Sequence, residues 1–265
     1  MPEPKKTYSE LLELLQASCP HAAAVLQKAH EAREALLSVY LSGARLKGFE
    51  ELVEHIDAVR GEYEKHPKLK KVSFLLARAK SEFGIGLESA LSGLHTVAHD
   101  AMRAVMEIEF LLRDFTLDHS RLDEWAHATL ATLKKRFQPG QLRERFAKHV
   151  GKKTEDLPEA MDYKGHSVFL HVGNRPPVFG LSGEMDEFGF SVDSCFWEMF
   201  EHARRLVIAI NNLADSFDTD ISEKYDDDKL ERLKNAWART QEMQRFWEVL
   251  TDYERNAPKG SSPDN

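Results

Sequence analysis

The fold is decided by the stretch "EFGIGLESALSGLHTVAHDAMRAVMEIEFLLRDF", residues 82–115. Within it Leu87, Leu91, Leu94, Ala98, Met102, Val105, Phe110 and Leu112 recur mostly at three- and four-residue steps, the period of one helix face. So broad an apolar stripe puts this helix in the middle of a bundle. Beside it runs a polar stripe of Glu88, Ser92, His95, His99, Arg103 and Glu107. His95 and His99 stand at i, i+4, a spacing that can hold a metal, but the HExxH glutamate is missing and no third ligand is evident. Histidines at the core margin and an Arg103–Glu107 ion pair account for the stripe, and no metal site is predicted.

Outward from this segment the helical period continues. Leu11, Leu12 and Leu15 belong to one amphipathic helix, and Ala24, Val25, Ala29, Ala32, Leu36 and Val39 to another. Further helices are expected over 46–62, 68–80, 82–115, 119–137 and 140–150, with Pro67, the Gly84/Gly86 pair and "QPG" at 138–140 as breaks. "FWEMFEHARRLVIAINNLADSF" (196–217) and the acid-started segment from Asp226 give two later helices. Between them and the earlier helices, "RPPVFGLSGEMDEFGFS" (175–191) carries two short aromatic runs around "SGEMD", which suits a small hairpin weakened by Gly180 and Gly189. The expected fold is all-α, a multi-helix bundle with a small irregular or β-hairpin insertion near 175–191. Its expected divisions are an N-terminal helical region at 1–80, a bundle core at 81–255 and a tail at 256–265.

With 265 residues, 42% hydrophobic and 30% charged, the composition is that of a soluble globular chain. The opening "MPEPKKTYSE" has no apolar leader, and the densest apolar run, "LVIAI" at 206–210, is too short to span a bilayer. Cys19 and Cys195 lie far apart with no CxxC, so they read as reduced thiols in a cytoplasmic protein without membrane contact.

Three segments invite functional readings that their residues do not support, or support only partly. "FGIGLESALSG" looks like a phosphate loop but follows a helical pattern and lacks the Gly-Lys-Ser/Thr ending, so it is taken as a helix break. "DTDISEKYDDDK" (218–229) alternates acids as a calcium loop does, yet Lys224 and Lys229 occupy ligand places, so it is taken as a helix-capping linker. "KKRFQPGQLRERFAKHVGKK" (134–153) is more informative, because it gathers eight Lys and Arg against Glu144 in a chain of net charge -8. Lys134, Lys135, Arg136, Arg143, Arg145 and Lys148 are candidate contacts to RNA or a nucleotide, and a solvated helical hairpin is the competing account.

The other candidate site is "YKGHSVFLHVG" (163–173). If helical, it lines up Tyr163, Ser167 and His171 at i, i+4 and i+8. His171 would act as base or acid there, with Ser167 or Tyr163 as its partner; a buried polar network bracing the helix end is the bland equivalent.

"MRAVMEIEFLLRDF" and "YKGHSVFLHVG" resemble the R-x-x-x-E helix and the Y-x-x-x-S-x-x-x-H segment of an uncharacterised helical, mostly bacterial family, domain of unknown function 5677. That resemblance covers 85–217 and points to Arg103, Glu107, Tyr163, Ser167 and His171; the family brings no established reaction. A weaker similarity is to HEPN-type helical ribonucleases, whose R-x(4-6)-H motif implies metal-independent RNA cleavage. Arg60/His66, Arg113/His119, Arg121/His127 and Arg143/His149 fit the spacing, and Arg113 with His119 is the best placed.

The favoured expectation is a phosphate-bearing ligand, RNA or nucleotide, in a pocket of Arg103, Glu107, Tyr163, Ser167 and His171, with no cofactor. Arg103 would hold the anion, Glu107 would fix the guanidinium and His171 would carry a proton. The alternatives are a metal-independent ribonuclease using Arg113 with His119 or Arg103 with His171, and a structural protein forming a helical homodimer.

Overall fold

The computed structural model describes residues 6–40, 43–158, 160, 185–221 and 225–237. Among them are ten α-helices and no strand. They are α1 (Tyr8–Ser18), α2 (Pro20–Tyr40), α3 (Ala44–Lys65), α4 (Ser73–Leu91), α5 (His95–Leu117), α6 (His119–Ala126), α7 (Leu130–Arg136), α8 (Pro139–His149), α9 (Met185–Ser216) and α10 (Asp227–Trp237). The chain is an all-α multi-helix bundle, and no described helix is long and apolar enough to cross a membrane.

The expected helix over 82–115 is two helices. α4 runs straight through Gly84 and Gly86, and the chain turns at Gly93, whose φ of 74° is open to glycine at little cost. There the Leu94 N–H donates to the Ser89 carbonyl at 2.8 Å and the Gly93 N–H to the Ala90 carbonyl at 3.2 Å, a Schellman ending. Leu94, expected in the apolar stripe, is therefore at the turn and 49% exposed. Gly86 serves a different purpose. A Cβ there would lie 3.0 Å from Met102 Cε of α5 and 3.4 Å from Met199 Sδ of α9, whereas at Gly84 nothing lies within 4 Å.

α5 is the centre. It packs most extensively against α4 and α9, burying Met102, Val105, Met106, Leu112 and Phe115. α3 and α10 close the other side of α9 with Leu52, Ile56, Tyr63, Leu233 and Trp237. Polar groups in this layer are paired: Tyr63 donates to the Ile210 carbonyl at 2.7 Å and Trp237 Nε1 to the Arg45 carbonyl at 2.9 Å. Arg45 and Asp193 form a buried ion pair, with the guanidinium 4.7 Å above the Phe196 ring. Cys195 is buried against Ala90 and Ala98, and burial pushes its thiol pKa far up; Cys19, at the α1–α2 turn, is exposed. One continuous core runs from Leu36 to Trp237, and residue 80 falls inside α4.

The expected 119–137 helix also divides, because Thr129 accepts the Thr132 N–H at 3.2 Å and starts α7 afresh. α6 to α8 are clasped to α5 by Asp114. Its buried carboxylate takes a bidentate pair from Arg145 at 2.8 and 2.7 Å and a third bond from Arg121 at 2.6 Å. Of the hairpin or irregular insertion expected near 175–191, the part from Met185 onward is helix, the beginning of α9; the first part lies outside the described residues. Phe188, Val192, Cys195 and Met199 stand at helical spacing, and in so long a helix that pattern outweighs the roughly 1 kcal/mol that Gly189 costs. Asp226, read as part of a capping linker, does cap α10, accepting the Lys229 N–H at 2.9 Å.

Two outcomes follow for urea unfolding. Gly84→Ala should stabilise the protein by about 0.5–1 kcal/mol, while Gly86→Ala gains nothing or loses; equal gains at both would contradict the close approach of three helices at Gly86. Asp114→Ala should cost about 3 kcal/mol, since two guanidiniums lose their carboxylate, and a loss under about 1 kcal/mol would show the clasp to be idle.

Candidate functional site

A second carboxylate of α5, Glu109, is 1% exposed although it lies between Ile108 and Phe110 on an otherwise apolar face. Arg113, one turn on, donates to it at 2.8 Å, and Arg205 of α9 approaches it at 3.7 Å. Burial raises the Glu109 pKa, against the opposing pull of Arg205 and Arg113. The Arg113 guanidinium lies 3.7 Å above the Phe146 ring of α8, so it is held from below as well as from the side. Arg205 Nη2 meets His202 Nδ1 at 3.2 Å. A guanidinium only donates, so Nδ1 accepts and Nε2 carries the hydrogen given to Glu198 at 3.0 Å. His202 is fully buried.

These groups stand behind a cleft of about 450 Å³ between α5, α8 and α9, bounded also by Pro158. Arg113, Arg204 and Arg205 bring three guanidiniums to it, Glu109, Glu201 and Asn212 supply acceptors, and Leu117, Ile208 and Ala209 make an apolar wall. Arg204 donates to Glu201 at 2.9 Å and is 42% exposed at the rim. Guanidiniums anchored in this way suit an oxyanion with several oxygens.

The residues named from the sequence divide between several places. Arg103 and Glu107 are an ion pair at 3.6 Å lining a different cleft, with Arg78, Glu82 and Asp100; burial raises the Glu107 pKa, against Arg103. Tyr163, Ser167 and His171 lie outside the described residues. Glu88 and Ser92 are both held by Arg33 of α2, Ser92 at 3.0 and 3.2 Å. His95, at the start of α5, has a pKa lowered to about 4 by burial and by His99. Among the described residues no three His, Cys, Asp or Glu side chains converge on a metal position.

Of the Arg/His pairs, Arg113 alone reaches the arginine cleft. Its partner His119 shares a 3.0 Å hydrogen bond with Ser216 and stacks on Phe217, away from the cleft lining. Arg60 pairs with Glu64 at 3.4 Å, while His66 Nδ1 accepts the Lys68 and Leu69 N–H groups and caps a 3-10 turn. In the basic segment, Arg145 belongs to Asp114 and Arg136 to Glu124, and Arg143 is half-buried 5.9 Å from the Phe110 ring. Lys134, Lys135 and Lys148 are exposed.

Glu109, His202, Arg204 and Arg205 were not singled out from the sequence. The available signal was a carboxylate at 109 inside an apolar run, together with "EHARR" on the late helix. Comparison of the chain with protein-family models, curated proteins and solved structures finds no match.

The lowered pKa of His95 fixes a pH dependence. The unfolded chain takes up this proton near pH 6.5 and the folded protein only near 4, so His95 contributes stability above pH 6.5 that is lost as the pH falls through that window. In thermal unfolding, His95→Gln should flatten the decline of Tm between pH 6.5 and 4 relative to the unaltered protein; parallel curves would exclude it.

Proposed function

We propose that the protein binds a phosphate-bearing ligand, RNA or a nucleotide, in the arginine cleft between α5, α8 and α9. The observation that carries this reading is the meeting of Arg113, Arg204 and Arg205, from two helices, on one hollow. Arg113 is pinned by Glu109 and Phe146 and Arg205 is backed by His202, so little side-chain freedom remains to be lost when an anion arrives. The cleft volume is in the range of small-ligand sites, and Leu117 and Ile208 offer a surface for the apolar face of a base. Arg103 and Glu107 line a separate cleft, so Arg113, Arg204 and Arg205 take the anion-binding role expected of Arg103.

Fluorescence anisotropy with a labelled adenosine nucleotide and a labelled mixed-sequence RNA, both in EDTA, tests the proposal. Arg204→Gln, at the exposed rim, should weaken binding about tenfold without changing Tm, and Arg113→Gln should do the same with some loss of stability. Arg103→Gln should bind as the unaltered protein. Unchanged affinity in Arg204→Gln and Arg113→Gln, or a loss confined to Arg103→Gln, would overturn the assignment.

A further inference from the structure

We infer that the ligand is single-stranded RNA, with one nucleotide in the arginine cleft and the adjoining backbone running over a lysine ridge on α7, α8 and the turn after them. This rests on reading the cleft as a phosphate site. The structure sorts the eight cations of 134–153 into two groups. Arg136, Arg143 and Arg145 are engaged with Glu124, Phe110 and Asp114. Lys134, Lys135, Lys148, Lys152 and Lys153 are exposed, with no carboxylate within ion-pair distance among the described residues. None of these five is neutralised by a carboxylate among the described residues.

Position ties that surface to the cleft. α8 supplies Phe146 to the cleft wall, and Lys152 and Lys153 lie on the short path from α8 to Pro158, another wall residue. α7 is held alongside, because Arg145 Nη1 donates to the Arg136 carbonyl at 2.7 Å. The chain as a whole carries -8, so its remaining surface repels a polyanion while this face attracts one. A duplex presents its bases stacked and paired, whereas the apolar wall of Leu117, Ile208 and Ala209 can receive a base only from an unstacked strand. Thr116 and Asn212 on the same lining can exchange hydrogen bonds with a ribose 2′-OH, which selects RNA over DNA.

The test is anisotropy titration of the full chain at several salt concentrations with a labelled single-stranded RNA of about 20 nucleotides, its deoxy counterpart and the RNA duplex. Beside it runs a variant with Lys134, Lys135, Lys148, Lys152 and Lys153 all changed to Gln, exposed positions whose exchange leaves the core intact. The expected result is tightest binding to single-stranded RNA, with the variant lowering the slope of log K against log salt by about 0.7 for each phosphate contact removed. The labelled nucleotide should bind both proteins alike. If the nucleotide binds but the variant keeps the full RNA slope, the ridge is a solvated face and this inference falls while the cleft assignment stands. Equal affinity for the deoxy strand, or tighter binding of the duplex, overturns the choice of ligand. Loss of nucleotide and RNA binding alike in the unaltered protein removes the cleft assignment as well.

Discussion

Two carboxylates buried on α5 organise the molecule. Glu109 and Asp114 sit on a helix whose other inward residues include Met102, Val105, Met106, Leu112 and Phe115, and each would be costly there alone. Each is matched by arginines: Glu109 by Arg113 of α5 itself and by Arg205 of α9, Asp114 by Arg121 of α6 and Arg145 of α8. The apolar stripe of α5 decides that helices gather around it. The carboxylates decide which arginines face inward and at what height, and so fix α6 to α8 on one flank and α9 on the other. Such pairs specify an arrangement more than they stabilise it, because the cost of desolvating the charges offsets much of their attraction. The arginine cleft is a by-product of the same constraint, since guanidiniums recruited to Glu109 end at a surface hollow.

Much of the architecture was legible in the helical period. α5 as the central helix, its neighbour over 196–216 and the cap at Asp226 follow from apolar spacing and charge placement alone. The glycines were ambiguous for a physical reason. Gly84, Gly86 and Gly93 look alike in sequence, but only Gly93 has the two backbone bonds that reward a left-handed residue. Gly86 is needed for space, which depends on Met102 and Met199 arriving from distant parts of the chain. The start of α9 was hidden because aromatic runs separated by glycine suit a strand locally, and only the length of the following helix tips the balance.

The site was less legible than the fold. A Glu four residues before an Arg ordinarily marks a solvated helix surface, so Glu109 and Arg113 carried no special signal; their burial depends on α9 and α8, more than 30 residues away. The division of the basic segment was hidden for the same reason. Counting charges cannot separate Arg145, which turns inward to Asp114, from Lys148, which does not. Arginine's planar fork suits the internal role and lysine's flexible ammonium the solvated one, and side-chain type therefore held information that net charge discards.

The two cysteines give the protein a built-in clock. The Cys195 sulfur is sealed between Ala90 and Ala98 where α4, α5 and α9 meet, and burial keeps it as an unreactive thiol. Cys19 is open to solvent at the far end of the helical hairpin. An alkylating reagent therefore finds one thiol at once and reaches the other only when the central helices part, so the slow phase of labelling reports the opening rate of the bundle core.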